Sequence, residues 1–238
     1  MLAADLLQNA PVLARKFAAE RFLTIDQYLD SAYAEKLYKF FAETMPEHWW
    51  SASYKGPTDD NDYKKTKFIK QTPANQDLID FELKKCYNAL EKGKFSYMFD
   101  RSVAHKQKCP CIECEFRKFL GGSLNLDLLS SITGQNLTTT NEFFASRFTA
   151  GHFLGPHHDL NKGKIGFILN LTKKWKPQYG GLLHMLEDDY ITIKKVILPT
   201  FNKVTIFSIP HNVGVPHFVS SICPDINKKR ISYTGWFN

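Results

Sequence analysis

Two hydrophobic rhythms divide this chain. Over residues 1–140 apolar side chains recur three or four positions apart, the spacing of a helix with one buried face. Leu2, Leu6, Leu7, Val12, Leu13 and Phe17 form one such stripe, with Pro11 expected to break it. Tyr28, Leu29, Tyr33, Leu37, Phe40 and Phe41 form a second, predicting a helix that follows Thr24-Ile25-Asp26 with Thr24 or Asp26 as its cap. A third helix is predicted over residues 75–92, stopped by Gly93, and a fourth over 117–134, ending at Gly134. Residues 53–67, with Gly56, Pro57 and an acidic run, read as a loop, and residues 95–99 alternate as a strand does.

From residue 141 the rhythm shortens. Apolar segments at 143–148, 164–171, 181–186, 190–197, 203–208 and 230–237 are separated by turn residues, the pattern of a sandwich or barrel. Helices first and strands afterwards predict a mainly β fold with a helical buttress. The expected organisation is a single catalytic domain over 1–238. Residues 1–140 are its mainly helical support, with a basic, cysteine-containing insertion at 104–115, and 141–238 are the β core.

Composition narrows the class. With 19 Phe, 10 Tyr and 4 Trp there is enough apolar material for a core, which excludes general disorder. No run of about 18 apolar residues is present, so no membrane-spanning helix is expected. The first 23 residues are interrupted by Asp5, Arg15, Lys16, Glu20 and Arg21, and so lack the continuous apolar stretch of a secretory signal. That absence, and an odd number of cysteines (five), predict reduced thiols in a cytoplasmic protein. The net charge of +7 permits a nucleic-acid partner without requiring one.

The candidate chemistry starts at Gly155-Pro156-His157-His158-Asp159. If the segment continues a strand, His157 and Asp159 project to one face and His158 to the other. An imidazole beside a carboxylate supplies two ligands of a metal site, and His184, His211 and His217 are candidates for a third. Two imidazoles and one carboxylate leave three positions of an octahedral ion open, the arrangement of non-haem iron(II) oxygenases. A 2-oxo acid takes two of them and dioxygen the third. If that acid is 2-oxoglutarate, its far carboxylate needs a cation. Arg230, Ser232 and Thr234 alternate on one face of the last predicted strand, and an inward cation followed by hydroxyls is unusual unless an anion binds there. Separately, His105, Cys109, Cys111 and Cys114 place four soft ligands within a short segment, a possible zinc set.

These residues resemble the 2-oxoglutarate- and Fe(II)-dependent dioxygenases, specifically their prolyl 4-hydroxylase branch. The resemblance runs from Ser146-Arg147-Phe148 through the His157/Asp159 segment, Gly166 to Trp175, Tyr179 to Leu183 and Pro199 to Phe207. It closes on Val215-Pro216-His217-Phe218-Val219 and Arg230 to Phe237. It implies a double-stranded β-helix, or jelly roll, with the N-terminal helices packed on it. It implies iron ligands His157, Asp159 and His217, with His217 preferred to His211 for its Pro-His-Phe-Val context. It implies Arg230 as partner of the 2-oxoglutarate carboxylate, in preference to Lys228, assisted by Ser232 or Thr234.

The implied cofactors are Fe(II), 2-oxoglutarate and O2, with ascorbate as an accessory reductant, and the implied substrate is a prolyl residue of a protein or peptide. Trp236 stands where AlkB-type demethylases carry a second Arg, which argues against a nucleic acid as direct substrate. Phe148 and Ile168 depart from the branch, which often has Tyr at those places. Alternatives are the same chemistry on a free amino acid or lysyl side chain, and a non-catalytic binding domain that keeps the fold.

Overall fold

The computed structural model describes residues 1–56, 66–103, 109–209 and 214–238. Among the described residues, five α-helices precede or interrupt a curled antiparallel sheet. They are α1 (Leu6–Glu20), α2 (Ser31–Lys39), α3 (Gln76–Glu91), α4 (Ile112–Leu120) and α5 (Ser123–Thr133). The strands are β1 (Phe22–Ile25), β2 (Trp50–Lys55), β3 (Lys67–Lys70), β4 (Tyr97–Ser102), β5 (Thr140–Phe148) and β6 (Phe153–His157). They continue with β7 (Ile165–Asn170), β8 (Leu183–Leu186), β9 (Ile193–Ile197), β10 (Lys203–Ser208), β11 (His217–Val219) and β12 (Arg230–Phe237). Among the described residues no helix is long and apolar enough to cross a membrane.

The sheet runs β1-β10-β7-β12-β5-β4-β6-β11-β8-β9, with β2 on the side of β4 and β3 on β2. Strand β4 joins the two halves. Its first residues, Tyr97 and Met98, pair with β6, and its later ones, Asp100 and Arg101, pair with β5. The sheet thereby curls on itself, as the jelly-roll expectation requires.

Alternation along β5 and β12 separates two cores. Phe143, Ala145, Ile231 and Tyr233 face the helices, where they pack with Tyr28, Leu37, Phe41, Phe116 and Leu129. Phe144, Phe148 and Trp236 face the inside of the curl with Phe99, Ile168, Met185 and Phe207. Because the side-chain period of a strand is two, one strand serves a helical buttress on one face and a cavity on the other.

Several local expectations shift. Pro11 lies inside α1 instead of ending it. The helix is held on both sides of the proline by buried Leu6 and Phe17, so packing offsets the missing N–H. Residues 22–25 form an edge strand on β10, and α2 begins later, capped by Asp30, whose carboxylate accepts from the N–H groups of Ala32 and Tyr33. The helix predicted over 117–134 is two helices, divided at Gly121-Gly122. Part of the 53–67 loop belongs to β2 and β3. Every residue of β2 is buried, so its Ser-Ala-Ser stretch carries no hydrophobic alternation to detect.

Arg147 points away from the inside of the curl. It lies 2.8 Å from Asp100, forks onto Glu47 and stacks on Trp50 with 4.6 Å to the ring centre. Asp100 is 1 % exposed, so Arg147→Met would leave a buried carboxylate without its cation. The expected loss is about 3–5 kcal/mol of stability, read as a fall in Tm; an unchanged Tm would show that the pair contributes nothing net.

Candidate active site

The curl encloses a cavity of about 280 Å³ whose wall includes His157, Asp159, His217, Arg230, Ser232, Thr234, Phe148 and Ile168. Strand pairing explains the meeting of the first three. His157 ends β6 and faces His217 of β11 directly across the ladder, and Asp159 follows two residues after His157. The ligand atoms of His157, Asp159 and His217 all lie within 4.8 Å of one another, and all three residues are buried. His157 Nε2 is 3.4 Å from one Asp159 oxygen, and His217 Nε2 is 3.9 Å from the other.

Each imidazole is oriented from behind. His157 Nδ1 lies 3.0 Å from the carbonyl of Gly155, and His217 Nδ1 lies 2.9 Å from that of Val215. A proton on each Nδ1, donated to that carbonyl, leaves each Nε2 lone pair aimed at the Asp159 carboxylate. Phe95 and Phe207 pack against the two rings.

Burial disfavours a charge on Asp159, yet its contacts with His157 and His217 and the Trp236 N–H outweigh it. Its carboxyl is held well below the usual range. Burial, then neighbouring His157, pushes His217 down to about 4, so it is a neutral imidazole at physiological pH.

Two described histidines, His184 and His158, stand apart. His184 lies opposite Phe218 on the reverse face of the β8–β11 ladder and stacks on it at 4.3 Å. His158 turns away from the triad toward Tyr190. His211 lies outside the described residues, as does His105 of the possible zinc set. The remaining members of that set, Cys109, Cys111 and Cys114, do come together.

Arg230 is the most unusual side chain in the cavity. It is 2 % exposed, and its Nε has no hydrogen-bond partner. Among the described residues no carboxylate pairs with it; its guanidinium lies over the Phe148 ring at 4.8 Å. Burial alone lowers it to about 10. Phe148, a departure from the expected Tyr, therefore supplies a cation–π floor in place of a hydroxyl. Lys228 is exposed and lies before β12 begins.

Room for Arg230 comes from Gly181, at φ +64°. A Cβ there would sit 3.2 Å from Arg230 Cδ and 3.1 Å from Ile222. Ser232 is buried and lies 2.7 Å, hydroxyl to hydroxyl, from Ser146 on the paired strand; Thr234 lines the same wall.

Two contributions had not been read from the sequence. Trp236 donates its indole N–H to Asp159 Oδ2 at 2.9 Å, holding the carboxylate from behind. Its place on the Arg230-Ser232-Thr234 face was a usable signal, because alternation points it inward. Tyr97 of β4 lines the cavity, with its hydroxyl 2.6 Å from that of Thr66. The aromatic alternation of 95–99 placed it on a strand, but nothing local told which strand it would adjoin. Ile168 is apolar and offers no hydrogen bond, so Tyr97 is the phenol this wall possesses.

A buried set of two imidazoles and a carboxylate, beside a buried cation with no acidic partner among the described residues, is the pattern of a divalent-metal site that also takes an anion. Residues 143–238 match the sequence model of the 2OG-Fe(II) oxygenase superfamily. The match covers the strand-rich half of the chain, from within β5 onward.

A curated relative, prolyl 3-hydroxylase OGFOD1 of Mus musculus, is 29% identical over 115 residues, which cover 46% of this chain. The match spans only 20% of that relative's length. Among solved structures, a prolyl hydroxylase from Trichoplax adhaerens was determined in complex with a hypoxia inducible factor oxygen degradation domain peptide fragment. It superposes with TM-score 0.65 at 13% identity, covering 98% of this chain and 90% of that one. A Pseudomonas putida prolyl-4-hydroxylase gives TM-score 0.55 at 14% identity, covering 97% and 99%. These two likenesses establish that the fold extends over nearly the whole chain.

Proposed function

We propose that this protein is an Fe(II)- and 2-oxoglutarate-dependent dioxygenase that hydroxylates a prolyl residue of a protein or peptide. The observation that carries the reading is one cavity holding both the His157/Asp159/His217 set and the buried Arg230, which has no acidic partner among the described residues. The residues fit both groups. His157, Asp159 and His217 would hold iron, and Arg230, with Ser232 or Thr234 beside it, would hold the far carboxylate of 2-oxoglutarate. Iron so bound supplies the oxidising chemistry, in which dioxygen hydroxylates the substrate C–H bond and 2-oxoglutarate leaves as succinate and CO2.

The chain's own part is positional. The Gly155 and Val215 carbonyls fix the imidazole tautomers, and the Trp236 N–H fixes the carboxylate. Apolar Phe148, Ile168, Leu183 and Phe207 keep bulk water from the ligand set. Trp236→Phe is expected to preserve the fold and weaken iron binding about 10- to 100-fold, measured by Fe(II) titration; unchanged affinity would remove Trp236 from this role.

A polymeric substrate is favoured by the cavity mouth. Arg101, Phe68, Glu142 and Phe144 border both the cavity and a neighbouring one of about 530 Å³, so the opening continues beyond the space for a single amino acid. The similar proteins named above act, by their descriptions, on prolyl residues, which supports the same class here. Five cysteines without a disulfide support work in a reducing, cytoplasmic compartment.

The test is turnover with Fe(II), ascorbate and 2-oxoglutarate, followed by mass spectrometry of a proline-containing peptide library and of free amino acids. Oxygen incorporation at peptide prolines is expected. Oxidation confined to free amino acids would overturn the substrate class. Absence of both iron binding and succinate formation would leave the non-catalytic binding domain.

A further inference from the structure

A second group of ligating side chains sits at the start of α4. Cys111 is the N-cap residue of that helix and Cys114 lies in its first turn. Cys109 comes back toward them, so the three sulfur atoms all lie within 4.8 Å of one another. All three residues are half-buried and none is in a disulfide.

The frame that holds them is rigid. Phe116 and Leu120 of α4 are fully buried. Glu113, also fully buried, accepts from Arg117 at 3.0 Å and from the hydroxyls of Ser102 on β4 and Tyr233 on β12, each at 3.4 Å. Cys111 and Cys114 are therefore held by a helix fastened to two strands.

A convergent set of three thiols suits a cation better than it suits protons. A thiophilic ion displaces the thiol protons and binds the thiolates directly, using all three converging sulfurs at once. The positive end of the helix dipole adds a smaller stabilisation of anionic sulfur at Cys111 and Cys114.

Geometry agrees. Zn–S bonds of about 2.3 Å in a tetrahedron place sulfurs roughly 3.8 Å apart, within reach of the observed spread by small side-chain rotations. A disulfide would take two sulfurs and leave the third crowded against them, whereas one ion uses all three.

We propose that Cys109, Cys111 and Cys114 bind a soft divalent cation, zinc(II), as three thiolates, with water in the fourth position. Each S–H exchanges its proton for a bond to the ion, and no electrons move. The ion clamps Cys109 to the first turn of α4 and so fixes how the chain enters that helix. This site is independent of the iron reading.

The test uses the whole chain, purified under reductant, with zinc and iron measured on the same sample and Co(II) titrated in as a spectroscopic substitute. One zinc per chain is expected, retained in His157→Ala and lost in the triple variant Cys109→Ser/Cys111→Ser/Cys114→Ser. Cobalt should give thiolate charge-transfer absorption and the intense visible bands of tetrahedral coordination. Loss of iron alone in His157→Ala bears on the oxygenase site and not on this one.

Should the triple variant fail to fold, Cys109→Ser alone, outside any helix or strand, is expected to weaken zinc binding by at least the roughly 10- to 100-fold that loss of an outer partner costs. Background zinc in the wild-type protein, a cobalt spectrum without thiolate bands, or a thiol count two short through a disulfide would each overturn the proposal.

Discussion

Alanine in place of His217 will reduce 2-oxoglutarate turnover to the level of iron-stripped protein. His217 provides one of three converging ligand atoms, and it is a neutral imidazole because burial pushes it down to about 4. Two remaining ligands, one of them a carboxylate, hold a divalent ion far less firmly than three in a fixed triangle. The fold should survive. Asp159 keeps its contact with His157 and the hydrogen bond from Trp236, and β11 keeps its backbone ladders to β6 and β8. His184→Ala is the matched control, since that ring stacks on Phe218 on the opposite face. Turnover and bound iron should be near wild type there and absent in His217→Ala. An active His217→Ala protein with iron bound would displace His217 from the ligand set.

Arg230→Met will have two effects of opposite sign. If Arg230 holds the 2-oxoglutarate carboxylate as proposed, its loss should cost about 2–5 kcal/mol of co-substrate binding, a rise in KM of roughly 30-fold to several thousand-fold. The unliganded protein should be equally stable or more stable, by up to about 4 kcal/mol. The native guanidinium is buried with no acidic partner among the described residues, and burial has already lowered it to about 10. Methionine fills a similar space without a charge to desolvate. Thermal unfolding with and without 2-oxoglutarate, beside a KM measurement, reads both signs. A destabilised variant with unchanged KM would make Arg230 a structural cation.

Much of the β half was legible because its alternation is short and regular. Arg230, Ser232 and Thr234 read as one face from spacing alone, and that face lines the cavity wall. His157 and Asp159 read as a pair for the same reason. The helical half was less legible. Residues 22–25 carry apolar side chains at a spacing that suits either element, and only the free edge of β10 makes them a strand. The Asp30 cap was hidden because Thr24 and Asp26 offered the same chemistry a few residues earlier. Ser51, Ala52 and Ser53 are small and mostly polar yet buried, a combination that arises when neighbouring strands and α3 cover both faces.

The sequence by itself determined the parts that depend on neighbours in the chain. These are the strand and helix periods, the two-residue step from His157 to Asp159, the hydroxyls that follow Arg230, and the short spacing of the cysteines. Residue types and periods are local properties, and they survive without knowledge of the fold. The tertiary structure decided what depends on distance through space. It chose His217 over His184 by setting it across the ladder from His157. It turned Arg147 outward to Asp100 and Glu47, brought Tyr97 and Trp236 to the cavity, and left Arg230 without an acidic neighbour among the described residues. Which side chains meet depends on strand register and the curl of the sheet, and those are fixed only when all the strands pair at once.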